Sequence, residues 1–342
     1  MMGTGEVSVR PIGRLSTGET ISAVELSNEY MQVTLLDLGA SLWTLKPHGH
    51  ASARGITLAH NDPLSYAANP PYLGCTVGPL ANRVGKSAFV LDGQRYDLTP
   101  NEGAHHLHGG PTGFSHRVWG VEPDHQATEV VFRLHRSDGD GGYPGNLDVA
   151  VTWTLERNCL RFAWSASADK ATPVSITNHT YWNLSGSGTI EDHLLRVDAE
   201  AFVEIDGDLI PRGALVPSSG SVFDLANLTR VGDAIERVGF GGIDHCYALV
   251  PDGRIELREP GSGLSLVMET SLPGLQVYTG HQLDASPEQG GFQPMAGLCL
   301  ETQFFPDAVN NPSYPSPLVG PEELVHHWTT YTFNGIRPTG PN

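Results

Sequence analysis

Positive charge is what this chain has least of. Lysine occurs only at positions 46, 86 and 170, and 20 Lys and Arg face 38 Asp and Glu, a net charge of −18. Nucleic acid and anionic membrane both call for a basic footprint, so neither is expected as a partner. The four cysteines, Cys75, Cys159, Cys246 and Cys299, are scattered and form no CxxC pair. Each reads as a buried, reduced thiol, which argues against a disulfide framework and against a thiolate metal centre. No apolar run approaches the roughly 18 residues of a membrane helix. The segment MMGTGEVSVRPIGRL has neither the basic start nor the apolar stretch of a secretory signal, and a cytoplasmic location is the expectation. Nucleotide-binding GxGxxG and GK[ST] loops, the GxSxG elbow and the HExxH zinc motif are missing too, which disfavours nucleotide-dependent, serine-hydrolase and zinc-protease chemistry.

Helical periodicity is almost as scarce; LANLTRVGDAIERV (225–238) is the best candidate for a helix. Strand-like segments fill most of the rest, among them MQVTLLDLG (31–39), EVVFRLHR (129–136), LDVAVTWTL (147–155), LRFAWSASA (160–168), HLLRVDA (193–199), RIELRE (254–259) and LSLVMET (264–270). They are rich in Val, Thr, Leu and aromatics and are separated by Gly, Pro, Asn and Asp. SAFVLDGQRYDL (87–98) reads as a hairpin turning at Asp92-Gly93. Strands without intervening helices predict antiparallel sheets, hence an all-β sandwich or barrel. Gly and Pro are spread evenly and no linker divides the chain, so residues 1–342 are expected to form one domain.

Side chains alternate between the faces of a strand. In VSITNHTYWNL, Val174, Ile176, Trp182 and Leu184 share one face, and Ser175, Thr177, His179, Tyr181 and Asn183 the other. In AGLCLETQFFP, Leu298, Leu300 and Phe304 alternate with Cys299, Glu301 and Gln303. GLQVYTG sets Gln276 and Tyr278 against Leu275 and Val277. A floor of His, Glu, Gln, Tyr and Asn side chains suits a polyhydroxylated ligand, which needs many fixed donors and acceptors and an aromatic surface. Singly, each has a plainer reading: His179 as a hydrogen-bonded structural histidine, Glu301 as half of a buried ion pair with Arg83, Gln276 as an ordinary strand residue. Their joint occurrence favours function. His106 and His108, one residue apart, also admit a cupin-like divalent-metal site, but Thr112 and Gly113 stand where that pattern wants a glutamate. No metal is expected.

Taken together, GCTVGPLANRVGKSAFVLDGQRYDL, HHLHGGPTGF, DGDGGYPGNLDVAVTWTL, TNHTYWNLSG, GIDHCYAL, GLQVYTG and CLETQFFPDAVNNPSYPSP resemble, in order, the motifs of the aldose 1-epimerase (galactose mutarotase) family. The resemblance implies a large antiparallel β-sandwich that interconverts the α and β anomers of free aldoses such as galactose or glucose, without a cofactor. It implies Glu301 as catalytic base and His179 as catalytic acid; for that chemistry the first is expected to be ionised and the second protonated near neutral pH, with neighbouring carboxylate charge holding the imidazolium. Asn82, Arg83, His108, Asp244 and Gln276 become the expected sugar-binding residues. The expected partner is a small aldose, taken up by a monomer or homodimer. Pro79, Trp182 and Cys246 stand where the family usually has arginine, phenylalanine and asparagine, changes expected at the pocket rim. A non-catalytic sugar-binding module and a hexose-phosphate epimerase are the alternatives; the second calls for extra basic residues near the pocket.

Overall fold

The computed structural model describes residues 5–52, 55–239 and 241–339. Three antiparallel sheets dominate it. The first is an N-terminal meander of Glu6–Arg14, Thr20–Ser27, Met31–Leu36 and Ser41–Pro47. The second has nine strands, ordered Gly120–Asp124, Glu129–Arg136, Leu147–Glu156, Cys159–Ala168, Leu324–Asn334, Ser265–Thr270, Ile255–Arg258, Leu194–Val197 and Thr229–Arg230. The third has six: Tyr181–Trp182, Leu298–Gln303, Gly274–Tyr278, Asp244–Leu249, Ala199–Ile205 and Pro211–Pro217. The expected hairpin forms between Ala88–Leu91 and Gln94–Asp97, with Asp92 and Gly93 both at positive φ, as a two-residue primed turn requires. The one α-helix among the described residues, Val231–Val238, lies within the expected segment and stops at Gly239, whose φ of +77° ends it in a left-handed cap.

The nine- and six-stranded sheets share one apolar core. Trp153, Phe162, Leu266, Met268, Tyr331 and Phe333 from the larger sheet join Leu275, Val277, Leu298, Leu300 and Trp182 from the smaller. The ring of Trp182 lies 5.4 Å from that of Tyr331 and 5.8 Å from that of Phe333, centroid to centroid. Fully burying an aliphatic or aromatic side chain contributes about 1.5–3 kcal/mol, so this layer is the main reason the sheets stack. The alternation read from sequence decides which residues enter it. Val174, Ile176, Trp182 and Leu184 all turn inward, as do Leu298, Leu300, Leu275 and Val277. Cys299, Tyr181 and Tyr278 belong to a separate cluster on the opposite face of the six-stranded sheet.

One expectation needs correction. The segment 174–184 is not a continuous strand. It makes two short ladders, Thr177–Asn178 against Thr76–Val77 and Tyr181–Trp182 against Leu298–Cys299, with His179 between them. The strand pattern breaks because the chain changes partner there, and every residue from Thr172 to Leu184 is buried. Neither face is a solvated surface.

Candidate active site

His179 is held by its backbone before its side chain does anything. Its N–H donates to the carbonyl of Cys75 at 2.8 Å, and its own carbonyl accepts from Gly74 at 2.9 Å. The Asn178 amide donates to the Gly74 carbonyl at 2.7 Å. Gly74 has φ of +68°, and a Cβ there would lie 2.1 Å from the Leu42 carbonyl oxygen, so only glycine lets the segments approach this closely. Glu301 projects from the centre of Leu298–Gln303, where every residue is buried. The result is a carboxylate and an imidazole, 2% and 5% exposed, with Glu301 Oε1 3.7 Å from His179 Nε2. That separation is too long for a hydrogen bond, and Glu301 Oε2 has no hydrogen-bond partner among the described residues. Both groups therefore keep free valences directed at a shared space.

That space is a cleft of about 680 Å³, its open mouth included. Asn82, Arg83, His108, Asp244, His179 and Glu301 all line it, so six of the seven residues singled out from sequence meet in one place. The seventh, Gln276, stands behind Asp244 and donates to its Oδ1 at 2.5 Å. The short ladder of Arg83–Val84 with His106–Leu107 brings the ANR and LHGG motifs together. The Asn82 N–H donates to His108 Nδ1 at 3.2 Å, and the His108 N–H donates to the Asn82 carbonyl at 3.0 Å. Asn82 sits at φ of +62°, which asparagine tolerates, and its Oδ1 accepts the Arg83 N–H at 2.8 Å. A second and larger cleft, about 1510 Å³ beside Trp43 and Phe292, is lined by Lys46 and His60 but by no carboxylate, and the His60 ring is engaged by Asn69 Oδ1 at 3.1 Å. The free acid–base pair lies in the smaller one.

Three readings change here. Arg83 does not pair with Glu301; its Nε and Nη2 clasp Glu102 at 2.6 and 2.7 Å in a bidentate bridge. His106 and His108 do not act as a pair, because His106 is turned away, with Nδ1 on the Thr99 carbonyl at 2.6 Å and Nε2 on the Tyr143 hydroxyl at 2.8 Å. Pro79, Trp182 and Cys246 are absent from the lining of the cleft. Trp182 is a core residue between the sheets, and Cys246 packs with Ala201, Ala248 and Phe305.

His108, His179 and Glu301 bring one donor atom each within 4.8 Å of one another, a spacing a metal ion would accept. The chemistry of His108 opposes it. Its Nδ1 lone pair is taken by the Asn82 N–H, so the neutral ring carries its hydrogen on Nε2 and has no second lone pair to give. His108 fits a hydrogen-bond donor to a hydroxyl.

Burial controls the charges. It pushes the Glu301 carboxyl well above the usual carboxylate range, Asp244 adds to the rise, and Arg83 opposes it. Burial lowers His179 to about 4, against a small raising contribution from its own main chain. Burial also raises Asp244, against Arg83 and the Gln276 hydrogen bond. His108 is lowered by burial, then by the charges of His179 and Arg83. Burial therefore works against the expected ionised Glu301 and protonated His179. It disfavours both charges, raising the carboxyl and lowering the imidazole.

Sequence reasoning passed over several neighbours. Tyr72 packs its ring 4.8 Å from His108 and 6.0 Å from His179, at a positive φ of 55° that a bulky side chain rarely adopts. Tyr181 lies 5.1 Å from His179, ring to ring. Glu102 sits in EGAHHLHGG, in front of the histidines that drew attention. Cys299 Sγ lies 3.5 Å from His179 Nδ1. Only the polar-face alternation of Cys299 and Tyr181 hinted at any of this.

Comparison with known proteins agrees with the geometry. Residues 22–332 match the family described as Aldose 1-epimerase. The chain belongs to the aldose 1-epimerase family. It is 35% identical over 333 residues to pig galactose mutarotase, covering 94% of this chain and 97% of that one. It is 33% identical over 324 residues to the aldose 1-epimerase of Escherichia coli K12, covering 90% and 93%. The solved structure of galactose 1-epimerase from Lactobacillus acidophilus superposes with a TM-score of 0.85 at 25% identity, over 96% of this chain and 99% of that one. A GalM/aldose epimerase homologue from Caenorhabditis elegans gives 0.81 at 28% identity, over 90% and 97%. As an aldose 1-epimerase family member the chain is an isomerase, and its fold is the antiparallel β-rich architecture of these structures.

Proposed function

We propose that this enzyme interconverts the α and β anomers of free aldoses such as D-galactose or D-glucose by acid–base ring opening and closure. The observation that carries the reading is the buried His179–Glu301 pair, 3.7 Å apart in a polar cleft. A cyclic hemiacetal carries its hydroxyl and its ring oxygen on the same carbon, so two proton-transfer groups this close reach both. In the opening half, Glu301 accepts the proton of the C1 hydroxyl while His179 gives its proton to the ring oxygen. The C1–ring oxygen bond breaks, an aldehyde forms, and the pair is left as carboxylic acid and neutral imidazole. Rotation about C1–C2 and the reverse transfers close the other anomer.

Burial favours that intermediate protonation state. Sugar hydroxyls bonding to Glu301 would stabilise its carboxylate and return the proton to His179. His108, Asp244, Asn82 and Arg83 would hold hydroxyls and fix the ring, and Gln276 would orient Asp244. The Glu102 clasp on Arg83 favours neutral sugars, since it already neutralises the cation that a phosphate would seek. Polarimetry on freshly dissolved α-D-galactose tests the proposal. Added protein should speed the change in rotation, and Glu301→Gln and His179→Asn should each slow it by roughly 10²–10⁴-fold. Calorimetric sugar binding with no effect on rotation would leave a binding module instead.

A further inference from the structure

The nitrogen of His179 that faces away from Glu301 has a partner the proposed reaction does not use. Cys299 lies on the same strand as Glu301 and is paired across both neighbouring strands, with Tyr181 on one side and Tyr278 on the other. It is fully buried, and its Sγ is 3.5 Å from His179 Nδ1. If Nε2 is to give and take a proton repeatedly, Nδ1 must keep its own hydrogen through the cycle. A hydrogen stays on Nδ1 only if something accepts it, because which ring nitrogen is protonated follows from the bond the other makes.

We propose that Cys299 is a positioning residue: its sulfur accepts the Nδ1–H of His179 and so reserves Nε2 as the nitrogen that exchanges protons with the sugar. This rests on the acid role proposed for His179. Sulfur is a weak acceptor, and that weakness has a use. A carboxylate or carbonyl at this position would stabilise the imidazolium and make His179 reluctant to release its proton. A neutral thiol fixes the tautomer without that stabilisation. Burial pushes the Cys299 thiol well above its ordinary value, so it stays uncharged throughout the working range.

The other groups facing the ring do not replace it. Glu301 approaches Nε2. His108, Tyr72, Tyr181 and Tyr278 present rings at 5.2, 6.0, 5.1 and 6.4 Å between centroids. The competing acceptor is the main-chain carbonyl of His179 itself, the contact that raises its affinity for a proton.

The test is long-range ¹H–¹⁵N correlation spectroscopy on protein labelled in its histidines, with His179 assigned by its loss in His179→Asn. It reads the tautomer directly and needs no turnover. Wild type should show Nδ1–H at neutral pH, although a solvated histidine favours Nε2–H. In Cys299→Ala the Nε2–H form should grow, and kcat should fall by about tenfold with KM nearly unchanged. Cys299→Ser, with a stronger oxygen acceptor, should keep Nδ1–H and move the His179 titration upward by up to about one pH unit. A wild-type tautomer in Cys299→Ala would overturn the proposal and assign the role to the carbonyl, as would Nε2–H in the wild type. If Cys299→Ala fails to fold by circular dichroism, Cys299→Ser decides alone, and an unmoved titration counts against the idea. Tautomer changes as expected in a protein with no effect on optical rotation would sink the proposed reaction and, with it, the proton-exchange role given to Nε2, whereas Nε2–H in an active wild type would overturn this inference alone.

Discussion

His106 and His179 are both buried among short strands, yet the protein treats their rings differently. His106 has a full set of partners, the Thr99 carbonyl on one nitrogen and the Tyr143 hydroxyl on the other, both within 2.8 Å. His179 has a sulfur at 3.5 Å and, on the other side, a carboxylate just beyond hydrogen-bonding reach. A buried polar group is normally satisfied, because leaving it bare costs about 1–3 kcal/mol. His106 obeys that rule and knits a loop to the hairpin region. His179 and Glu301 depart from it together, facing one cleft. His106 has both ring nitrogens engaged, whereas the open valences of His179 and Glu301 face the cleft proposed to take the substrate.

Four measurements would break or sharpen this contrast. The largest effect belongs to the open pair: Glu301→Gln or His179→Asn should lower kcat by roughly 10²–10⁴-fold, while urea unfolding shows stability kept or slightly raised, since a buried titratable group has gone. A variant that stays fully active would erase the distinction. Next comes Arg83→Lys, which keeps the charge but loses the two-pronged clasp on Glu102. KM for galactose should rise about tenfold with a smaller change in kcat, as expected when a ground-state contact is lost.

His106→Gln should do the opposite of the first pair, costing about 1–3 kcal/mol of stability by urea titration and leaving kcat/KM within a few-fold. Loss of activity without loss of stability would place His106 among the working residues after all. Its advantage should also depend on pH. Burial holds the folded-state pKa of His106 below 6.5, opposed by the Thr99 carbonyl. A depressed histidine stabilises the fold fully above its unfolded value and loses that contribution as pH falls through the range below 6.5. The gap between wild type and His106→Gln should therefore narrow in acid.

The smallest and most discriminating effect lies in the pH profile of the wild-type enzyme. On the proposed mechanism the pair works while it holds one proton, so kcat/KM should be bell-shaped, with two apparent values that belong to the pair. Since burial lowers His179 to about 4 and raises Glu301, the acid limb should fall well below the 6.5 of an ordinary histidine. An acid limb at 6.5 in kcat/KM would mean that the pair is well solvated in the free enzyme.

Much of the fold was legible because strand alternation is a local property. Leu298 and Leu300 face the core and Cys299 the cleft side, as their spacing dictates. The turn at Asp92-Gly93 and the helix around Val231–Val238 announce themselves within a few residues. The site was legible only in part. His179 was read on a continuous strand because Thr, Tyr and Trp surround it, while the real chain switches from the Thr76–Val77 ladder to the Leu298–Cys299 ladder at that point. The Arg83–Glu102 clasp spans 19 residues and left no pattern. Cys299 read as an inert core thiol because burial hides what a sulfur atom is buried against.

The amino-acid sequence by itself determined the antiparallel architecture, the inward and outward sides of the strands and the residue types able to move protons. Motifs in series were enough to place the chain in its family. Tertiary structure alone decided that Glu301 ends 3.7 Å from His179, that Arg83 belongs to Glu102, and that burial works against the charge on both members of the pair. The reason is physical: periodicity is written in neighbours along the chain, whereas separation, desolvation and the choice of protonated nitrogen depend on groups that only folding brings into contact.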